Sequence, residues 1–262
     1  MGKPHLWWSA HYLLDWFLLT IVLFLAEVLF GQAPGIFRPS IRAPVYLEDN
    51  DADLKYPSLP DIVPAYALML INVLAPIFLF VVIQIKYRSK HDLHHSILGL
   101  YKSLVLTILI TDIFKVYGGR ERPNYLASCM PDAKGTCTNK NLAVSRDAAL
   151  SFPSGHSSVS FGCMVFLSCY LAGKLKVFNK DGGSVWKSLT CLVPLIVAGL
   201  VAVSRTLDYH HHHSDIIAGS VIGAVIGFTS YLTMYYPLTS KHCRHPKNRY
   251  FSIKKKVEPE VT

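Results

Sequence analysis

The chain has 262 residues, of which 51% are hydrophobic and only 16% charged. Soluble domains usually carry about 25% charged residues, so this composition excludes an ordinary soluble globule and points to a membrane. The net charge of +9 does not mark a nucleic-acid binder, because the basic residues lie between apolar runs, as in juxtamembrane loops facing anionic lipid.

Spanning a bilayer takes roughly 20 mostly apolar residues. Six segments qualify, at 12–31, 62–85, 96–117, 157–174, 188–204 and 214–236. They predict an all-α polytopic membrane bundle of six transmembrane helices, a single domain over 1–262. The first segment contains Asp15 and Glu27; the second, from Ile62 to Ile85, contains no charge. The first is too long for a cleaved signal peptide, has a thin basic flank and lacks a small-x-small cleavage site. The fifth is short and holds Pro194.

An even number of spans puts both termini on one side. Loops 86–95 and 175–187, the tail 237–262, Lys3 and Lys174 together hold 15 Lys/Arg; loops 32–61, 118–156 and 205–213 hold nine. Loop 32–61 is also acidic, with Glu48, Asp49, Asp51, Asp53 and Asp61. The positive-inside rule then predicts cytosolic termini with a basic cytosolic tail, and lumenal or extracellular placement of the other three loops. In that oxidising compartment Cys129 and Cys137 fit either a disulfide across loop 118–156 or two free thiols. Cys163, Cys169 and Cys191 lie in apolar runs and read as packing residues. In loop 32–61, Ile36, Phe37, Ile41, Val45 and Leu47 fit either a headgroup-contacting segment or a plain connector.

Three polar clusters sit at ends of spans. The first, Lys115 to Pro123, follows the third span, and its Gly118-Gly119 pair permits a tight turn that aims Lys115 and Arg122 at one anion. Simple snorkelling accounts for one basic residue there but not for the glycines, both arginines and the proline. The second, Pro153-Ser154-Gly155-His156, opens the fourth span, where helix N–H groups and the dipole suit an anion. Ser154 also fits a plain N-cap, and His156 an interfacial residue. The third runs from Ser204-Arg205 through four consecutive histidines to Asp215. Consecutive histidines on a helix diverge and hold a metal poorly. His211 and Asp215, four apart, share a helical face, so the carboxylate can orient the imidazole; His212, three from Asp215, remains a rival.

The span pattern brings all three clusters to the same membrane face, where buried charge implies function. Together they meet the needs of phosphoryl transfer. Lys115, Arg122 and Arg205 supply positive charge, Ser154 and the Gly155 N–H supply neutral donors, one histidine attacks, and a second protonates the leaving oxygen. The carboxylate cluster of a two-metal phosphatase is missing, so no metal is expected.

Lys115-x6-Arg122-Pro123, Pro153-Ser154-Gly155-His156 and Ser204-Arg205-x5-His211-x3-Asp215 resemble, in order, the three signature motifs of the type 2 phosphatidic acid phosphatase superfamily, the lipid phosphate phosphatases. The resemblance implies a metal-independent phosphatase acting on phosphatidic acid or a related lipid phosphate through a phosphohistidine. By motif position it implies His211 as nucleophile, Asp215 as its partner and His156 as acid, with Lys115, Arg122, Ser154, Gly155 and Arg205 as the phosphate pocket. The runs Arg122-Pro-Asn-Tyr-Leu and Ser204-Arg-Thr-Leu-Asp-Tyr are most similar to the branch acting on phosphatidic acid and diacylglycerol pyrophosphate. Isoprenoid pyrophosphate phosphatases, lipid phosphotransferases and, outside enzymes, a membrane scaffold or transporter are the competing readings. No cofactor, no metal and no nucleic acid are expected; the expected partners are the bilayer and a lipid phosphate substrate.

Overall fold

The computed structural model describes residues 10–30, 52–132, 137–179 and 184–247. Inside a bilayer no water can satisfy backbone N–H and C=O groups, so apolar segments of this length close their hydrogen bonds internally. Among the described residues six helices are long and apolar enough to cross a membrane. In chain order, α1 (Ala10–Phe30) is followed by α2 (Ala65–Met69), which continues through a π turn at Leu70–Leu74 into α3 (Ala75–Tyr87) as one span. Then come α4 (Lys90–Gly118), the short helices α5 (Tyr125–Cys129) and α6 (Leu142–Asp147), and the spans α7 (Gly155–Leu175), α8 (Val185–Leu207) and α9 (His213–Met234). Pro194 lies inside α8 without ending it.

Each expected span is present, with ends shifted by a few residues. The largest shift is at α4, which starts at Lys90, although 86–95 reads as a polar loop. Ser89 caps it by accepting from the Asp92 N–H at 3.2 Å. The polar start is tolerated because Asp92 is buried against partners. Lys174 of α7 lies 2.7 Å from its carboxylate, and the Tyr235 hydroxyl donates to it at 3.1 Å. Loop residues Ile36, Phe37, Ile41, Val45 and Leu47, and the basic run Lys254 to Lys256, lie outside the described residues.

α7 is the central helix, packed against α4, α8 and α9. The contact with α9 is made by Gly219, Gly223 and Gly227, spaced four apart so that they form one stripe. A Cβ at Gly223 would sit 2.1 Å from the Ser158 carbonyl oxygen, and one at Gly227 would sit 2.4 Å from that of Gly162. Small residues let the two backbones touch, which is how helices associate where lipid supplies no hydrophobic drive. Phe17, Phe78, Leu200 and Ile217 are exposed on the outside, as a lipid-facing surface requires. Cys129 and Cys137 are joined by a disulfide, while Cys163, Cys169 and Cys191 are buried free thiols.

Candidate active site

The three polar clusters converge at the end of the bundle formed by the close of α4, the start of α7 and the α8–α9 turn. Backbone hydrogen bonds lock the segments together. The Ser151 N–H donates to the Arg120 carbonyl at 2.8 Å, and the Ser154 N–H donates to the Asp215 carbonyl at 3.0 Å. The glycine turn works as its sequence implies. Gly119 takes a left-handed φ of 49° as the C-cap of α4, a conformation that costs glycine little.

Lys115 is buried and donates from Nζ to the Leu150 carbonyl at 2.9 Å. Its Cε lies 3.7 Å from where a Cβ on Gly155 would be, so the first two clusters are in contact. Arg122 is buried and pairs with Asp147 of α6 at 2.7 Å. Arg205, only 1% exposed, places Nη2 at 2.7 Å from both Asp208 and Asp61. The Nε atoms of Arg122 and Arg205 are buried without a hydrogen-bond partner among the described residues. Orphaned buried donors on two guanidiniums are what an anion site leaves for its ligand.

Ser154 is the N-cap of α7, with its hydroxyl accepting from the Ser157 N–H at 3.4 Å. His156 Nε2 lies 3.0 Å from the Val63 carbonyl. That oxygen can only accept, so Nε2 carries a proton. Arg205 Nη1, 3.3 Å from the same nitrogen, is then a donor beside a donor, a contact and not a hydrogen bond.

His211 and Asp215 are arranged differently from the expected shared helical turn. α9 begins at His213, so His211 precedes the helix and Asp215 sits in its first turn. The Asp215 carboxylate reaches back to accept the His212 N–H at 3.0 Å, as an acidic residue in a helix's first turn does. His211 Nδ1 is 3.8 Å from Asp215 Oδ2, too far for a hydrogen bond. Ser151 fills the gap. Its buried hydroxyl donates to Asp215 Oδ2 at 2.6 Å and lies 3.4 Å from His211 Nδ1. The one Ser151 proton is used on the carboxylate, so Nδ1–H of His211 donates to Ser151 and Nε2 carries the lone pair. Arg120 closes the other side of the carboxylate, 2.7 Å from Oδ1.

His212 also approaches Asp215, with Nδ1 at 3.3 Å from Oδ2, but it is partly exposed. His211 is buried, and burial holds its pKa well below the ordinary 6.5. The Asp215 carboxylate opposes that shift, and the nearby cations Arg122 and Lys115 reinforce it. His211 is therefore the neutral imidazole that faces the cations. Burial alone would raise Asp208, but contacts from His210 and Arg205 outweigh it and keep that carboxyl below its ordinary value.

Among the described residues one set has metal-ligand spacing, Asp61, Asp208 and His210. The Arg205 guanidinium, 2.7 Å from both carboxylates, already supplies the cation there. Every site residue expected from sequence thus lies in this one region. Sequence reasoning missed Ser151, Arg120, Asp147, Asp61 and Asp208. Ser151, Asp147 and Asp61 have no motif of their own, and Arg120 lies inside the first cluster without a role that its spacing assigns. Asp208 stands three residues after Arg205, a spacing that places both on one helical face and was available to read.

The sequence pattern of the PAP2 superfamily matches residues 96–238. A Dictyostelium discoideum protein named PA-phosphatase related-family protein is 47% identical over 244 residues, covering 93% of this chain and 87% of its own. Lipid phosphate phosphatase 1 of Arabidopsis thaliana is 42% identical over 195 residues, 72% of this chain and 59% of the relative. Diacylglycerol pyrophosphate phosphatase 1 of Saccharomyces cerevisiae is 35% identical over 156 residues, 56% of this chain and 54% of the relative. No solved structure matches the chain.

Proposed function

The chain belongs to the PAP2 superfamily, and we propose that it is a metal-independent lipid phosphate phosphatase acting on phosphatidic acid, diacylglycerol pyrophosphate or related lipid phosphates. The observation that supports this most is His211. It is a buried neutral imidazole, set among Lys115 and Arg122, with Nδ1 committed to Ser151 and Nε2 left for attack.

In this reading Lys115, Arg122 and Arg205 hold the phosphate oxygens with the Ser154 hydroxyl and the Gly155 N–H. Fixed donors of this kind carry the larger share of phosphoryl-transfer catalysis. His211 Nε2 attacks phosphorus and forms a phosphohistidine as the P–O bond to the lipid breaks. The cation that forms is stabilised through Ser151 by Asp215. His156, in its protonated form, gives a proton to the departing oxygen, an alkoxide when phosphatidic acid is cleaved and a phosphate oxygen when diacylglycerol pyrophosphate is cleaved. It then takes one from the water that cleaves the phosphohistidine, which releases inorganic phosphate and restores His211.

The bilayer delivers the substrate, with the headgroup at the bundle end where the three clusters meet. The charge bias of the loops supports a lumenal or extracellular site and cytosolic termini. The disulfide between Cys129 and Cys137, on the same side as the site, supports the same placement.

The test is phosphate release from a panel of lipid phosphates in detergent. His211→Ala is expected to lose at least about 1,000-fold in kcat while the protein remains folded, since a missing nucleophile removes the covalent path. Wild-type turnover is expected to survive a chelator. Turnover retained in His211→Ala refutes the nucleophile, and turnover abolished by EDTA refutes the metal-free mechanism.

A further inference from the structure

Residues 55–64, the end of the first loop and the lead into α2, touch all three motif segments. The Tyr56 N–H donates to the Pro123 carbonyl at 3.2 Å. The Tyr56 ring stacks on Tyr209 with centroids 4.6 Å apart. The Ile62 N–H reaches Asp208 at 3.4 Å, and the Val63 carbonyl accepts from His156 at 3.0 Å. Asp61 lies 2.7 Å from Arg205 Nη2 and 3.4 Å from His210 Nε2.

The two carboxylates on Arg205 are not equivalent. Asp208 is fully buried, one turn beyond Arg205 at the end of α8, and its other oxygen engages His210 at 3.1 Å. It has nowhere to go. Asp61 is 40% exposed on a non-helical segment, so water can replace Arg205 as its partner. One guanidinium between two carboxylates is a net negative group. A phosphate approaching the orphaned Nε of Arg205 meets like charge unless one carboxylate leaves.

We propose that Asp61 is an affinity-setting residue of this site: its carboxylate competes with the substrate's phosphate for Arg205 and must be displaced for the phosphate to bind. The inference rests on the reading of Arg205 as a phosphate ligand given above. Displacing Asp61 costs the same for every ligand, so it leaves affinity ratios alone and sets a threshold instead. A phosphomonoester or pyrophosphate brings two or more negative charges and clears it. A phosphodiester headgroup, the bulk of any bilayer, brings one and exchanges a carboxylate for an equal charge. The competing carboxylate therefore keeps the surrounding phosphodiester lipid from occupying the site.

The test compares wild type with Asp61→Asn, purified in detergent. Three quantities are read: KM for phosphatidic acid, the dissociation constant of inorganic phosphate by calorimetry, and inhibition by phosphatidylglycerol in mixed micelles. Removing one partly exposed competing charge is expected to lower KM and the phosphate dissociation constant about fivefold. Phosphatidylglycerol is expected to inhibit Asp61→Asn competitively at mole fractions that leave wild type untouched, and Asp61→Glu, which keeps the competing charge, is expected to reverse most of the shift seen in Asp61→Asn. Should Asp61→Asn fold poorly, Tyr56→Ala, which frees the same segment from Tyr209, is expected to shift KM and phosphate affinity in the same direction. Unchanged or weakened phosphate affinity overturns the proposal, because it makes Asp61 a support for Arg205. Calorimetry with phosphate needs no turnover, so an absence of lipid hydrolysis refutes the functional reading without deciding the role of Asp61.

Discussion

Ser151 joins the proposed catalytic pair. With 3.8 Å between His211 and Asp215, the carboxylate orients the imidazole only through the hydroxyl that touches both. Ser151→Ala is expected to lower kcat about 10- to 100-fold with little change in KM, the range found when an orienting partner is removed. Ser151→Thr, which keeps the hydroxyl, is expected to recover part of the loss. An equal fall in kcat and rise in KM marks a merely structural role. The acid–base state of His211 gives a second reading of the same device. Its folded pKa is depressed, so the neutral form persists as pH falls from neutrality and is lost only well below 6.5. An NMR titration, with the His211 signal assigned by its loss in His211→Gln, is expected to show no protonation above 6.5. Protonation at or above that value contradicts the burial argument. In Ser151→Ala the link to the carboxylate is gone, and the titration moves lower still.

Among the helices, α7 and α9 depend on contact between their backbones. The stripe Gly219, Gly223 and Gly227 lies against Ser154, Ser158 and Gly162, so the site residues at the head of both helices inherit their spacing from it. Gly223→Ala puts a methyl carbon 2.1 Å from a backbone oxygen, which no rotamer relieves. It is expected to destabilise the fold by about 2 kcal/mol and to lower kcat, as overpacking shifts backbones. Thermal unfolding in detergent measures the first effect. Gly199→Ala, where nothing lies within 4 Å of the added carbon, is the matched control and is expected to be neutral.

For the chain as a whole, sidedness connects the candidate-site end to the disulfide and the opposite end to the Asp92–Lys174 pair. Single cysteines introduced at Tyr56 and at Arg88, in a background without other thiols, test it in sealed vesicles. A membrane-impermeant maleimide added from the cytosolic side is expected to label position 88 and spare position 56. The reverse pattern overturns the orientation.

The six spans and the three motif clusters are readable from local chemistry. Apolar runs of membrane length have one stable backbone solution, and Lys115, Arg122, His156 and Arg205 fall at the ends of such runs, where isolated charge needs a reason. The resemblance of their spacing to one family narrowed four histidines to His211. The glycine stripe on α9 went unread, because a period of four within an apolar run does not say which helix it meets. Other features depend on contacts between residues far apart in sequence. Asp92 looks like loop polarity until Lys174 stands beside it. Asp61 lies in an acidic loop, 144 residues from the arginine it engages. Ser151 lies 60 residues from His211 and 64 from Asp215, and it becomes their link only when the start of α7 is brought against the α8–α9 turn. Periodicity and spacing report on neighbours along one element. The partners of a buried charge or hydroxyl are set by how elements pack, and that is the part the three-dimensional structure supplied.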